Sequence, residues 1–291
     1  MAENTYRGTI ALPAEVSSEI ITKVREDSAV MQLARQVVLP GVGASIPVVL
    51  GDPEADWVGE TEKKPVSDPQ LSMKTMKPYK IAVIVPFSNE FRRDAGALYD
   101  ECVRSLPAAL AKTFDKTVFT GTAPGSNFDV LSGATAQILN PEGDATAYDA
   151  LVDGEIDIAE HDGVLNGIVI SPKAKGLLLK ETDGQGRPLF INSVAEGAIP
   201  MILGVPTLER KSAYKADSTA DTVGVMGDWS KALYGTVEGV NITISDQATI
   251  ERANGTLLNL FQRNMFAIRA EIEVGFVADV TAFNLLKISN E

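Results

Sequence analysis

Hydrophobic positions along the chain change period several times, and each change marks a different element. Val16, Ile20, Ile21 and Val24 recur at helical spacing, with polar Ser17, Ser18, Glu19 and Lys23 between them, which predicts a helix over 14–26. Asp27 and Ser28 introduce a second amphipathic piece carrying Val30, Leu33, Ala34 and Val37, closed by Pro40 and Gly41. This helix-containing arm has too little apolar surface to be stable alone, so it packs on its own body or on a neighbour. From Gly51 to Lys80 the chain is polar and broken by Pro53, Pro65, Pro69 and Pro78, with Trp57 and Val58 as its concentrated apolar contact. Tyr79, Ile81, Val83, Val85 and Phe87 then alternate along one face, and the whole region reads as a long two-stranded excursion. Two isolated strands are marginal in water, so the natural partner of such a hairpin is another subunit.

Leu98, Cys102, Leu106, Leu110, Phe114 and Val118 follow at four-residue spacing and predict one long helix over 95–119. Pro107 in its middle predicts a kink or a restart one turn along. A turn-rich link over 121–133 leads into a central α/β unit. There a helix over 148–160 places Leu151, Val152, Ile156 and Ala159 on one side, and an apolar strand runs through Ile168 to Ile170. Ser171 and Pro172 give the cap and first turn of a helix to Lys180. Strands follow near 201–203, 205–208, 222–226, 232–237 and 241–245. The last segment alternates Phe266, Ile268, Ala270, Ile272, Val274 and Phe276 with Arg269, Glu271 and Glu273, a long half-buried strand placed to pair back with the hairpin or the long-helix region. No internal repeat or low-complexity tract interrupts this order.

Composition narrows the function classes. The 291 residues are 45% hydrophobic and 22% charged, the balance of a folded protein with a sizeable core in one large or two intertwined units. With 39 acidic against 26 basic residues the net charge is −13, and no run of Lys and Arg is dense enough to neutralise a phosphate backbone. The acidic excess makes copies repel, so association depends on shape and apolar burial. Cys102 is the only cysteine and reads as a small buried hydrophobe, which excludes an intrachain disulfide and a cysteine metal site. His161 is the only histidine and falls at a helix end, within Glu160, His161, Asp162 and Gly163. No apolar stretch reaches the ~18 residues that span a bilayer, and the amino terminus lacks a signal-peptide pattern, so synthesis in the cytoplasm is expected.

Candidate chemistry is sparse. Asp149, Asp153, Glu155, Asp157 and Glu160 are the densest carboxylates, and they read as the solvated face of the 148–160 helix. Thr182 to Arg187 is glycine-rich, but a helix precedes it and strand-like Pro188, Leu189 and Phe190 follow, the reverse of a phosphate loop. No catalytic residue, metal ligand or cofactor is assigned.

Three segments together resemble the tailed-phage major capsid proteins of the Hong Kong 97-type fold. The first is Trp57, Val58, Gly59, Glu60, then Lys77 to Ala82, then Pro86 to Glu90 with Asp94, similar to the family's extended loop and its return into the spine helix. The second is Gly186 to Phe190 with Leu203 to Pro206 and Gly227 to Gly235, similar to the axial domain. The third is Leu260 to Glu271 with Ala282 and Phe283, similar to the closing strand of the peripheral domain. The resemblance spans nearly the whole chain. It implies an α+β fold with an amino-terminal arm (1–50), an extended β-hairpin loop (51–90), a long spine helix with part of the peripheral domain (91–130), an axial α/β domain (131–255) and the peripheral closing strand (256–291).

The resemblance also implies a function: hexamers and pentamers of the chain closing an icosahedral shell around double-stranded DNA, assembled in the bacterial host cytoplasm and retained in the virion. A separate scaffolding protein, a portal and a decoration protein are the implied partners, with no membrane and no sequence-specific DNA contact. The arm begins almost at Met1, so a separate scaffold or prior processing takes the place of the long removable region some members carry. Subunit contacts are expected from Trp57, Glu60, Glu62, Lys63 and Lys64 in the loop and from Val16, Ile20, Ile21 and Val24 in the arm. Some members join subunits through a Lys to Asn isopeptide bond; Lys63 and Lys64 lie in the matching loop, but no partner Asn is matched. Two other readings stand beside this one, an encapsulin-like protein compartment and, from a different class, a soluble carboxylate-based hydrolase.

Overall fold

The computed structural model describes residues 14–50, 58, 70–90, 95–140, 146–182, 190, 201–237, 239–252 and 254–290. Helix α1 (Ala14–Asp27) carries the first predicted stripe, and α2 (Ala29–Leu33) is a single turn capped by Ser28. The second amphipathic piece is therefore shorter than its pattern suggests. β-branched Val37 and Val38 leave the helix for strand β1 (Arg35–Val38), because a sheet edge offers their backbone a ladder. Strands β2 (Ala44–Leu50) and β3 (Gln70–Met76) pair antiparallel from Ala44↔Met76 to Leu50↔Gln70, and β4 (Tyr79–Ser88) follows at once. Helix α3 (Ala95–Thr120) passes through Pro107 as one element, with no restart. Leu106, Leu110, Phe114 and Val118 bury one stripe of it, and that packing outweighs the single backbone bond a proline removes.

Beyond α3 come β5 (Thr135–Ile138), α4 (Ala147–Glu160), β6 (Gly167–Ile170), α5 (Pro172–Leu178), β7 (Met201–Ile202), β8 (Val205–Glu209) and β9 (Ala220–Gly227). The last strands are β10 (Ala232–Thr236), β11 (Asn241–Ser245), β12 (Thr249–Glu251), β13 (Leu257–Asn259), β14 (Met265–Ala278) and β15 (Phe283–Ser289). Leu203 and Gly204, both with positive φ (51° and 76°), make the two-residue turn that folds β7 back on β8.

Two main sheets result. In the first, β14 pairs antiparallel with β4 along one edge and with β10 and β11 along the other, while β1 adds to β10 in parallel. Its inward residues, Phe266, Ile268, Ala270, Ile272, Val274 and Phe276, are all buried, as their alternation predicts. The second sheet runs β5-β15-β9-β6-β8-β7. Ile168, Ile170, Val223 and Leu286 pack with Leu151, Ile158, Ala174 and Leu178 of α4 and α5, whereas Val169, Val225 and Leu285 share a core with α3. Covered on both faces, β6 and the Val223–Gly227 part of β9 have no polar side to alternate, so they read as continuous apolar runs.

The sheets exchange strands along the chain: 232–245 joins the first with 265–278, and 283–289 returns to the second. The boundary drawn from sequence at residue 255 coincides with no change of sheet. The burial of α4 also differs from its expected face. Ile156 is 52% exposed, and the buried positions are Ala147, Ala150, Leu151, Gly154 and Ile158. Small side chains bring the helix close to the sheet, where a Cβ on Gly154 would lie 2.8 Å from Met226 Sδ.

Candidate functional site

Two features mark where the loop and the arm leave the body: the stem of the loop and the root of the arm. The loop residues Trp57, Glu60, Glu62, Lys63 and Lys64 lie outside the described residues, but the stem below them is placed. The β2–β3 ladder forms a two-stranded sheet of its own. At its base, Met76 is fully buried in a small core with Leu39, Leu233 and Val277. Gly235 and Gly275, paired across β10 and β14, leave the space for it: a Cβ on Gly235 would stand 2.7 Å from Met76 Sδ, and one on Gly275 2.7 Å from Met76 Cγ. Lys74 pins the next residue outward on the same face, since its Nζ donates to Asp129 Oδ2 (2.9 Å) and to the Ala278 carbonyl (2.8 Å). The same Asp129 oxygen accepts the Ala278 amide at 3.1 Å, so one carboxylate ties the stem to the end of β14.

At the arm, the structure alters the expected partner. Ile20 and Val24 are completely buried in the chain's own core beside Leu110, Phe114 and Val118 of α3, and Ile21 packs against the same cluster. The side chain of Val16 lies outside the described residues. Expected to dock on a neighbour, Ile20 and Val24 have no surface left for one in this arrangement. Their own α3 is tethered nearby, and an intramolecular partner is present at high effective concentration.

Beneath the turn between α1 and α2 sits Asp115, 1% exposed. It accepts hydrogen bonds from Ser28 Oγ (2.5 Å), the amides of Ala29 (2.9 Å) and Val30 (3.3 Å), and Ser212 Oγ (3.4 Å). A carboxylate thus meets the positive end of α2, while Arg210 meets the negative end of α1 by donating from Nε to the Asp27 carbonyl (2.9 Å) and from Nη2 to that of Glu26 (3.1 Å). Burial pushes the Asp115 carboxyl up to about 6, against the pull of the bonds from Ser28, Ala29 and Val30 and of the Arg210 charge. Sequence reading passed over this residue, though an acid beside Phe114 and four positions from Ala111 in an otherwise apolar stripe is a signal that it needs a buried partner.

A third constellation joins the two sheets. Trp229 is buried between Phe119 of α3 and Phe283 of β15, edge-on to both rings, and its Nε1 donates to the Gly167 carbonyl at 3.0 Å. Asp228 beside it accepts from Asn166 Nδ2 (2.8 Å), the Val164 amide (3.0 Å), the Ser230 amide (3.0 Å) and Ser230 Oγ (2.6 Å). The run Gly227, Asp228, Trp229, Ser230 is thus a structural corner.

The residues with catalytic potential are dispersed. His161 stands at the surface end of α4, its Nδ1 2.8 Å from the Asp157 carbonyl and 3.9 Å from the Asp157 carboxylate. Asp149 forms a capping box with Thr146, whose amide and hydroxyl hold the Asp149 carboxyl below its ordinary range. Among the described residues, no group of three His, Cys, Asp or Glu side chains is placed to hold a metal ion. No helix among them is long and apolar enough to cross a membrane. The glycine-rich run at 183–187 and the side chain of Cys102 lie outside the described residues.

Comparison with known proteins places this mixed α+β architecture. A model of the phage capsid family matches residues 8–288. The probable major capsid protein of Mycobacterium phage D29 is 31% identical over 91% of this chain and 86% of its own length. The major capsid protein of Staphylococcus phage 80alpha is 26% identical over 92% of this chain and 82% of its own. A solved structure from Gordonia phage Cozz superposes with a TM-score of 0.70 at 21% identity, covering 91% of this chain and 87% of that one, and shows the same Hong Kong 97-like fold. The chain belongs to the phage capsid family, the structural proteins that build the shells of tailed phages.

Proposed function

We propose that copies of this chain assemble as hexamers and pentamers into an icosahedral shell around double-stranded DNA, with the loop above the β2–β3 stem reaching over a neighbouring subunit. The chain is a capsid subunit by family, so self-association is its function; the ring sizes, the enclosed DNA and the reach of the loop are the proposal. The observation that carries it is the stem itself. Among the described residues β2 and β3 pair only with each other, and two strands in isolation are marginal in water. A stem pinned at Lys74 and Met76 is suited to present its tip to another copy. A scaffolding protein and a portal are the further partners of this reading, and its place is the virion. No catalytic role is assigned to any residue. Negative-stain microscopy of the purified chain, expressed with and without the phage's other head proteins, tests the proposal: closed polyhedral particles are expected, and a monodisperse monomer under all conditions would defeat it. Particles holding protein cargo would favour the compartment reading.

A further inference from the structure

Ser28 ends α1 and opens α2, and the Asp115 carboxylate lies directly beneath that turn. All four of its donors are neutral: two hydroxyls and two backbone amides. Arg210, the nearest guanidinium, directs its nitrogens to the carbonyls of Glu26, Asp27 and Glu209. Lys112 of α3, Lys211 and Asp27 line an open pocket of about 250 Å³ beside the carboxylate, together with Arg210. These are the charged groups that face it, and none of them forms an ion pair with it among the described residues. Removing the arm would open Asp115 to water, and replacing the arm covers the carboxyl with the Ser28–Val30 turn.

We propose that the root of the arm is a pH-sensitive latch, in which docking of Ser28–Val30 buries the Asp115 carboxyl, so that acidification tightens the arm on the body and neutral pH loosens it. The docked site also accommodates the neutral acid: with the proton on Oδ1 and donated to Ser28 Oγ, Oδ2 still accepts from the Ala29 amide and Ser212 Oγ. The direction follows from proton linkage. Docked, the group titrates near 6, against an ordinary 3.8 when exposed, so the docked state binds more protons between those values. Docking therefore strengthens as pH falls through 6, levels off below 4, and is weakest at neutral pH and above. For a two-state latch the difference between pH 7.5 and pH 5 is about tenfold in the docking equilibrium.

Hydrogen exchange of the backbone amides of residues 20–33 in the full-length chain, corrected for the intrinsic effect of pH on exchange, reads this directly. Protection is expected to be about tenfold greater at pH 5 than at pH 7.5, the rise setting in near pH 6. Asp115→Asn, a mimic of the neutral carboxyl, should remove the pH difference. His161→Gln, which removes the chain's only histidine, should keep it. A flat wild-type profile overturns the proposal, as does a ratio that survives Asp115→Asn or vanishes in His161→Gln. Should Asp115→Asn fail to fold, the pH at which wild-type protection begins to rise and the histidine variant still decide.

Discussion

Gly235 faces Gly275 across the β10–β14 ladder, and Met76 fills the notch that the two missing side chains leave. Through this contact the loop stem is seated in the first sheet, because Met76 is the last residue of β3. Adding a methyl at either glycine would drive it into Met76, and for Gly275 also toward the Lys77 carbonyl at 2.8 Å, which is backbone and cannot swing away. Gly275→Ala is expected to cost about 1–3 kcal/mol in urea unfolding. Met76→Ala should cost about 2–5 kcal/mol by opening a cavity at the same place. If both variants unfold at the wild-type midpoint, the notch does not hold the stem.

The arm stripe belongs to the core, and its substitution should be read in subunit stability. Ile20→Ala is expected to lower the unfolding free energy by about 2–5 kcal/mol. Deleting residues 1–26 would strip Ile20 and Val24 from α3 and expose Leu110 and Phe114, so the truncated chain should be recovered in the insoluble fraction. Soluble, well-folded truncated subunits would instead show that the stripe serves a neighbour.

Arg210→Ala removes the cation at the carboxyl end of α1. The Glu26 and Asp27 carbonyls return to water, and α1 should lose about 1–2 kcal/mol of local stability, visible as faster exchange of its last amides. Unchanged exchange there would mean that the guanidinium contributes nothing.

Charge reversal in the loop, Glu60→Lys or Lys63→Glu, should impair particle formation while leaving the thermal midpoint of the subunit within about 2 °C. Counting particles by electron microscopy over a range of salt checks this. Normal yields for both variants would remove the loop from the proposed contact.

How much of this was legible beforehand depends on what covers each element. The β14 strand reads plainly because one face is buried and Arg269, Glu271 and Glu273 lie on the other, so the alternation survives in the sequence. The buried face of α4 does not, since Ala147, Ala150 and Gly154 were chosen for close approach and carry little hydrophobic signal, leaving exposed Ile156 to look like core. The arm helix was placed correctly, but the periodicity of Val16, Ile20, Ile21 and Val24 states only that a face is buried, and the surface that covers Ile20 and Val24 lies far along the chain, at Leu110, Phe114 and Val118 of α3. Asp115 and Ser28 are similarly remote in sequence, and Trp229 gains its meaning from Phe119, Gly167 and Phe283 together.

The exchange of strands between the two sheets bears on how the chain is made. In the second sheet, β15 lies between β5 and β9 and is hydrogen-bonded to both. A ribosome that has delivered everything up to Ala282 has therefore released a sheet with a slot in it: β5 has no ladder, β9 has one open edge, and Trp229 lacks the Phe283 ring. The slot can fill only when residues 283–289 emerge from the exit tunnel, so closure of this sheet waits for its last strand to be made. Until that moment the open edges of β5 and β9 are exposed to pairing with other nascent chains. In a host translating many copies of such a chain at once, the interval between synthesis of β9 and arrival of β15 is when the nascent chain is most exposed to mispairing.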